Sequence, residues 1–223
     1  MNREEALRRR YPKLREPQLT RENTALLVID MQYEDAHPDW GIAARFKARG
    51  EEAALQEYLD RVALSIPNIQ QLLTAFRERG MEIIHTRIES LTKDGRDRSL
   101  EHKNVDLHCS PGSKEAQILD DLAPHDDEIV LSKTCSSVFN GTMIDYVLRN
   151  IGIQYLIIAG VVTSGCVEIS VRDAADRSYG IVIVEDGCAS WTDEIHSAAI
   201  DRMHDIYGKV KRTDEVLQIL RRL

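Results

Sequence analysis

Residues Gln154–Gly180 read QYLIIAGVVTSGCVEISVRDAADRSYG, and the pattern changes period halfway along. Tyr155 to Ala159 is an apolar run rich in branched residues, of the length of a buried strand. Small and polar residues follow, Gly160, Thr163, Ser164 and Gly165, and then Cys166. Beyond Cys166, Val167, Val171, Ala174 and Ala175 recur at helical spacing, with Glu168, Arg172, Asp173 and Asp176 between them. Cys166 therefore stands where a strand ends and a helix begins. The first amides of a helix lack partners and its dipole favours negative charge. A thiol there is expected to have a lowered pKa and to be a nucleophile. A buried apolar cysteine is the other reading of the same context.

Working outward, Thr24 to Ile29 (TALLVI) is a continuous apolar run, the signature of a strand covered on both faces, and it ends on Asp30. A charge in that position is a turn cap or a site residue. Ala43 to Arg79 is helical in period, with a break expected at Pro67 and Ser65 as the cap of the second piece. Met81 to Thr86 is a second strand, followed by Arg87, and Glu128 to Leu131 a third, leading into Ser132 and Lys133. Ile181 to Val184 is a fifth, ending on Glu185 and Asp186, and Val210 marks a short sixth. Helices are expected over Glu4–Arg10, Ser113–Leu122, Asn140–Asn150, Trp191–Tyr207 and Asp214–Leu223. The stretch Ile88 to Gly112 is polar and without period, a long loop of the kind that carries function. Its His102, Asp106 and His108 raise the question of a metal, but they fall at no recurrent ligand spacing.

Alternating strands and helices imply an α/β fold: three layers around a mostly parallel six-stranded sheet, in the assumed order 3-2-1-4-5-6. At 223 residues, one domain is expected, over 21–223, preceded by an N-terminal arm over 1–20. A formal charge of −8 argues against general affinity for nucleic acid or anionic membrane. No apolar run reaches membrane-spanning length, the N-terminus is charged throughout, and the four cysteines show no CxxC spacing. These features predict a cytoplasmic protein. In an open parallel sheet the ligand lies beyond the carboxyl ends of the strands, where the order reverses. Asp30, Lys133 and Cys166 all follow strands and so share that edge; a structural Asp30–Lys133 ion pair is the alternative to a reactive group.

These residues carry a resemblance. ALLVIDMQ (Ala25–Gln32), LSKTCSSVFNGT (Leu131–Thr142), IIAGVVTSGCVEISVRDAADRSYG (Ile157–Gly180) and VEDGCAS (Val184–Ser190) resemble the isochorismatase-like cysteine hydrolase superfamily. That superfamily includes nicotinamidases, N-carbamoylsarcosine amidases, and ureidoacrylate and biuret hydrolases. The resemblance implies Cys166 as nucleophile, Asp30 as general base and Lys133 as the cation between them. It also implies a cis Val161–Val162 peptide, with the backbone amides of Val162 and Cys166 as an oxyanion hole. Relatives acting on a vinyl ether lack the cysteine, so an amide-type C–N bond is expected here. Nicotinamidases carry an Asp-x-His metal set after the second strand, and HTRIESLTKDGRD does not supply it, so neither metal nor cofactor is expected.

Gln32, Tyr33, Arg87, Phe139, Thr163 and Trp191 are the expected substrate-pocket residues, from their places near strand ends, with Arg87 suited to a substrate carboxylate or carbonyl. Cys135 and Cys188 read as bystanders. The expected activity is hydrolysis of a small amide, carbamoyl or ureido compound through a thioester, with release of ammonia. The alternatives are a catalytically silent binding member or a hydrolase of another activated substrate. The expected partners are a small-molecule substrate and further copies of the chain, as a dimer or tetramer.

Overall fold

Every residue of β1 (Thr24–Ile29) is buried, because its two faces supply two different cores. Leu26 and Val28 point into one, with Tyr58, Val62, Ile69, Leu72 and Phe76; Ala25, Leu27 and Ile29 point into the other, with Val138, Leu148, Val171 and Met203. A strand buried on both sides cannot alternate polar with apolar, which is why the sequence shows an unbroken run. The structure, a computed structural model, describes residues 16–125 and 127–223. The predicted helix over Glu4–Arg10 and most of the predicted arm lie outside the described residues.

The sheet is six-stranded in the order β3-β2-β1-β4-β5-β6, and every pairing is parallel. The remaining strands are β2 (Glu82–Ile88), β3 (Ile129–Lys133), β4 (Tyr155–Val161), β5 (Gly180–Ala189) and β6 (Lys209–Lys211). The sequence order thus reverses between β1 and β4, whose registered ends pair Ile29 with Gly160. Gly160 adopts φ +126°, and a methyl group there would overlap the Ile29 carbonyl, so only glycine lets the two strand ends lie this close.

The helices in chain order are α1 (Tyr33–Ala36), α2 (Gly41–Ala48), α3 (Gln56–Arg77), α4 (Leu100–Asn104), α5 (Val138–Gly141), α6 (Ile144–Asn150), α7 (Glu168–Asp176), α8 (Asp193–Met203) and α9 (Thr213–Leu220). α3 and α9 cover one face of the sheet, and α5 to α8 the other. None of them is long and apolar enough to cross a membrane.

Several boundaries differ from the sequence reading. Pro67 does not break the helix: α3 runs through it, and the interruption falls at Arg49–Glu51 instead. Burial of Val62, Ile69, Leu72, Leu73 and Phe76 outweighs one lost hydrogen bond, and Ser65 is a buried interior residue bonding Val62 O rather than a cap. Ser113–Leu122 forms turns and a single 3-10 turn at Asp120–Leu122, not a helix. Asn140–Asn150 divides into α5 and α6, where the Thr142 side chain bonds the Val138 carbonyl and the Ile144 amide. β5 continues past Asp186 to Ala189, with an irregularity in its pairing to β4 between Ile158 and Gly160. Arg87 lies within β2, opposite Ser132. α8 starts at Asp193, capped by Thr192 Oγ1, which accepts from the Ile195 amide.

Candidate active site

The chain leaves β1 through Asp30, which takes φ +54°, a conformation Asp tolerates better than most residues. Its amide still donates to Thr86 O on β2 at 3.0 Å, so the residue is tied to the sheet edge while its carboxylate turns inward. Lys133 is the last residue of β3 and Cys166 lies in a tight π-type turn, Thr163–Val167, that joins β4 to α7. The Val161–Val162 peptide before that turn is cis.

These three side chains meet below the surface. Lys133 Nζ is 2.7 Å from Asp30 Oδ2, 3.3 Å from Cys166 Sγ and 3.1 Å from the Cys135 carbonyl. The first contact is an ion pair and the other two are hydrogen bonds, and none of the lysine side chain is exposed. Thr86 Oγ1 donates to Asp30 Oδ1 at 3.3 Å. Burial works against the charge of Lys133, but Asp30 and Cys166 outweigh it and hold the ammonium well above its usual pKa. The thiol behaves otherwise than the sequence suggests. Burial pushes Cys166 up, Lys133 opposes this, and the Asp30 carboxylate adds to the upward shift. Burial thus favours the protonated thiol, which lies beside the Lys133–Asp30 ion pair.

A cavity of about 300 Å³ opens over Cys166. Asp30, Val161, Val162, Gly165 and Cys166 form its base. Glu34, Asp35, Ile42 and Arg45 wall one part, Ile88, Glu101, His102, Val105 and Leu107 another, with Ser136, Ser164 and Trp191 beside the base. A larger surface depression of about 470 Å³, between Pro67 and Arg221, groups no comparable reactive side chains.

Of the six pocket residues expected from sequence, only Trp191 lines this cavity, with its ring against Tyr58 at 4.9 Å. Gln32 is fully buried and clamps two segments, accepting from Ile88 N and donating to Ile88 O and Glu115 O at 3.0 and 2.9 Å. Tyr33 stacks on His37 beneath the Lys114 ammonium. Arg87 is held by Glu89 at 2.6 Å and by Ser132 at 3.1 Å, along the sheet rather than over the thiol. Phe139 packs on Tyr179 in the core. Thr163 turns away to His196, Oγ1 to Nδ1 2.9 Å, and burial lowers that histidine to about 4, keeping it neutral. Each lies near a strand end, as the sequence indicates, but proximity to the edge does not say which way a side chain points.

The wall residues absent from the sequence reading are chiefly Glu34, Asp35 and Arg45. Glu34 and Arg45 form an ion pair, Oε2 to Nη1 3.1 Å. The one available signal was an adjacent pair of carboxylates directly after the β1 block. His102, Asp106 and His108 do not converge: His102 is buried in the cavity wall, Asp106 reaches toward Arg98, and His108 faces Ser110. Among the described residues no group of three potential metal ligands forms.

Comparison with known proteins agrees with this geometry. The chain is 30% identical over 163 residues to an N-carbamoylsarcosine amidase from Arthrobacter sp., a match covering 70% of this chain and 61% of that protein. It is also 30% identical over 200 residues to a probable inactive nicotinamidase from Arabidopsis thaliana, covering 86% and 94%. A solved cysteine hydrolase from Pseudomonas syringae pv. phaseolicola shares the fold, with TM-score 0.79, 24% identity and coverage of 95% and 98%. Residues 24–215 match the Isochorismatase domain model, from the first residue of β1 to α9, and the chain belongs to that family of hydrolases.

Proposed function

We propose that this chain is a cysteine amidohydrolase that cleaves the C–N bond of a small amide, carbamoyl or ureido compound. The observation that carries the reading is the single Lys133 ammonium touching both Asp30 and Cys166 at the base of a cavity. A structural ion pair would not require a thiol as third member, nor an opening above it.

The chemistry runs on these groups. Asp30 takes the Cys166 proton as Sγ attacks the substrate carbonyl carbon, so the thiolate forms only when an electrophile is present. Lys133 keeps its proton throughout, orienting Asp30 and offsetting the charge on sulfur. The carbonyl oxygen becomes an oxyanion facing the backbone amides of Val162 and Cys166, which border the cavity. Asp30 returns the proton to the departing nitrogen, the C–N bond breaks, and ammonia leaves behind a thioester. Water then attacks the thioester with Asp30 as base, the acid is released and the thiol is restored. A carbamoyl product decomposes further to an amine and carbon dioxide.

The reading is tested by ammonia release from nicotinamide, N-carbamoyl amino acids, ureidoacrylate, biuret and aliphatic amides, with Cys166→Ala alongside and chelator present. Turnover unaffected by chelator and reduced about 10⁴-fold or more in the variant supports it. No ammonia from any of them, together with a Cys166 inert to alkylation, overturns it in favour of a silent binding protein.

A further inference from the structure

Among the described residues, the cavity over Cys166 has polar groups to spare but no positive charge to spare. Arg45 is, among the described residues, its one Lys or Arg lining residue, and both guanidinium ends are engaged by Glu34. Lys133, beneath the base, is fully occupied by Asp30, Cys166 and the Cys135 carbonyl. Two further carboxyl groups line the wall, Asp35 and Glu101. Among the described residues neither has a lysine or arginine at ion-pair distance; Glu101 receives only the Ser136 hydroxyl at 2.5 Å and stands 3.9 Å from His102 Nε2.

Two of these wall residues carry buried polar atoms without a hydrogen-bond partner. Asp35 Oδ2 is buried and makes no hydrogen bond. His102 is 0% exposed, and neither ring nitrogen has a hydrogen-bond partner. Buried polar atoms are satisfied in nearly all folded proteins, so unsatisfied ones on a cavity wall are places for a ligand's polar groups. Burial and the neighbouring Glu34 and Asp30 charges push the Asp35 carboxyl well up, and burial together with Lys133 pushes His102 down. Both groups border the cavity, and burial disfavours a charge on either. A carboxylate brought here would be stripped of water beside Asp35 and Glu101, with no free cation among the described residues to receive it. N–H groups would meet acceptors.

We propose that the cavity takes a substrate that brings N–H donors and no carboxylate, and that Asp35 and His102 are the side chains that read it. This rests on the amidohydrolase reading for what happens to the substrate, though not for what the cavity admits. It also displaces Arg87 as a carboxylate reader, since that guanidinium is held by Glu89 and Ser132 outside the cavity.

The test uses a pair matched in size, N-(2-hydroxyethyl)urea and N-carbamoylglycine, which share the ureido end and differ in the charge at the other. Ammonia release should favour the uncharged member by about tenfold or more in kcat/KM, the size expected of one uncompensated charge in a partly dry site. Asp35→Asn, which can donate N–H to a carboxylate, should shrink that preference several-fold, chiefly through KM. Equal or reversed preference overturns the proposal and leaves the amidohydrolase reading standing, and an unchanged preference in Asp35→Asn removes Asp35 from it. If neither urea yields ammonia, alkylation of Cys166 by iodoacetamide and by iodoacetate, each relative to free cysteine, decides the same question. A ratio about tenfold above that of free cysteine supports an anion-excluding cavity, and a ratio at or below that of free cysteine overturns it.

Discussion

Two ion pairs meet at one cavity, and they are built differently. Lys133–Asp30 is closed at both ends, with side chains 0% and 1% exposed, and a thiol completes it. Arg45–Glu34 is closed only on the carboxylate side, the arginine being 45% exposed. Burial raises the Glu34 carboxyl despite Arg45, whereas Glu34 holds the arginine above its ordinary value. The cost of desolvation in that pair therefore falls on one partner, while the other stays wet. A fully buried pair is poor evidence of stability, because two charges have left water. On the proposed function the closed pair beside a cysteine serves the chemistry, whereas the half-open pair borders the cavity.

The sharpest way to break this contrast is Lys133→Met. It leaves Asp30 buried and unpaired, so denaturant unfolding should show a loss of about 3–5 kcal/mol. Adding Asp30→Asn should recover most of that stability and none of the activity. A single variant that unfolds no more easily than the parent would mean that the pair is not desolvated as described. Arg45→Met should cost less, about 1–2 kcal/mol in the same measurement, because water screens the exposed end of this pair.

The smallest expected effect carries a pH signature. Asp35 has its carboxyl raised in the folded chain, so the fold retains a proton that the unfolded chain releases above the ordinary value of 3.8. Stability contributed by that proton is present below this value and is lost as pH rises toward the raised one. Asp35→Asn removes the dependence. Its melting temperature should exceed the parent's at pH 8, by the equivalent of about 1 kcal/mol, and converge with it near pH 4. A gain that is the same at both values would show that ionisation of Asp35 is not its source.

How much of this was legible in the sequence follows the same division. The strands and the strand-end positions of Asp30, Lys133 and Cys166 could be read because buried strands leave apolar runs, with β1 and β4 covered on both faces, whereas the sheet order was assumed and the structure has it so. Pro67 misled because helix propensity is local, while α3 is held by its packing against the sheet. The cavity wall was least legible. Gln32, Arg87, Phe139 and Thr163 stand where a pocket residue should, yet each side chain is claimed by a partner from a distant part of the chain, such as Glu115, Ser132, Tyr179 or His196. Asp35 and His102 stand on single-turn helices, α1 and α4, too short to leave a periodicity to read. The lowered thiol pKa expected at a helix start failed for a similar reason: the strand–turn–helix pattern does not report burial, and burial decided the sign.

The central claim is that Asp30, and not exposure, makes Cys166 reactive. Peptide-resolved iodoacetamide labelling of the native protein tests it directly, because Cys135 is the more accessible thiol and Cys109 and Cys188 are buried without such a base. Cys166 should be labelled first, and Asp30→Asn should slow it by at least about tenfold while leaving Cys135 unchanged. Labelling that begins at Cys135, or a Cys166 rate indifferent to Asp30→Asn, would contradict it.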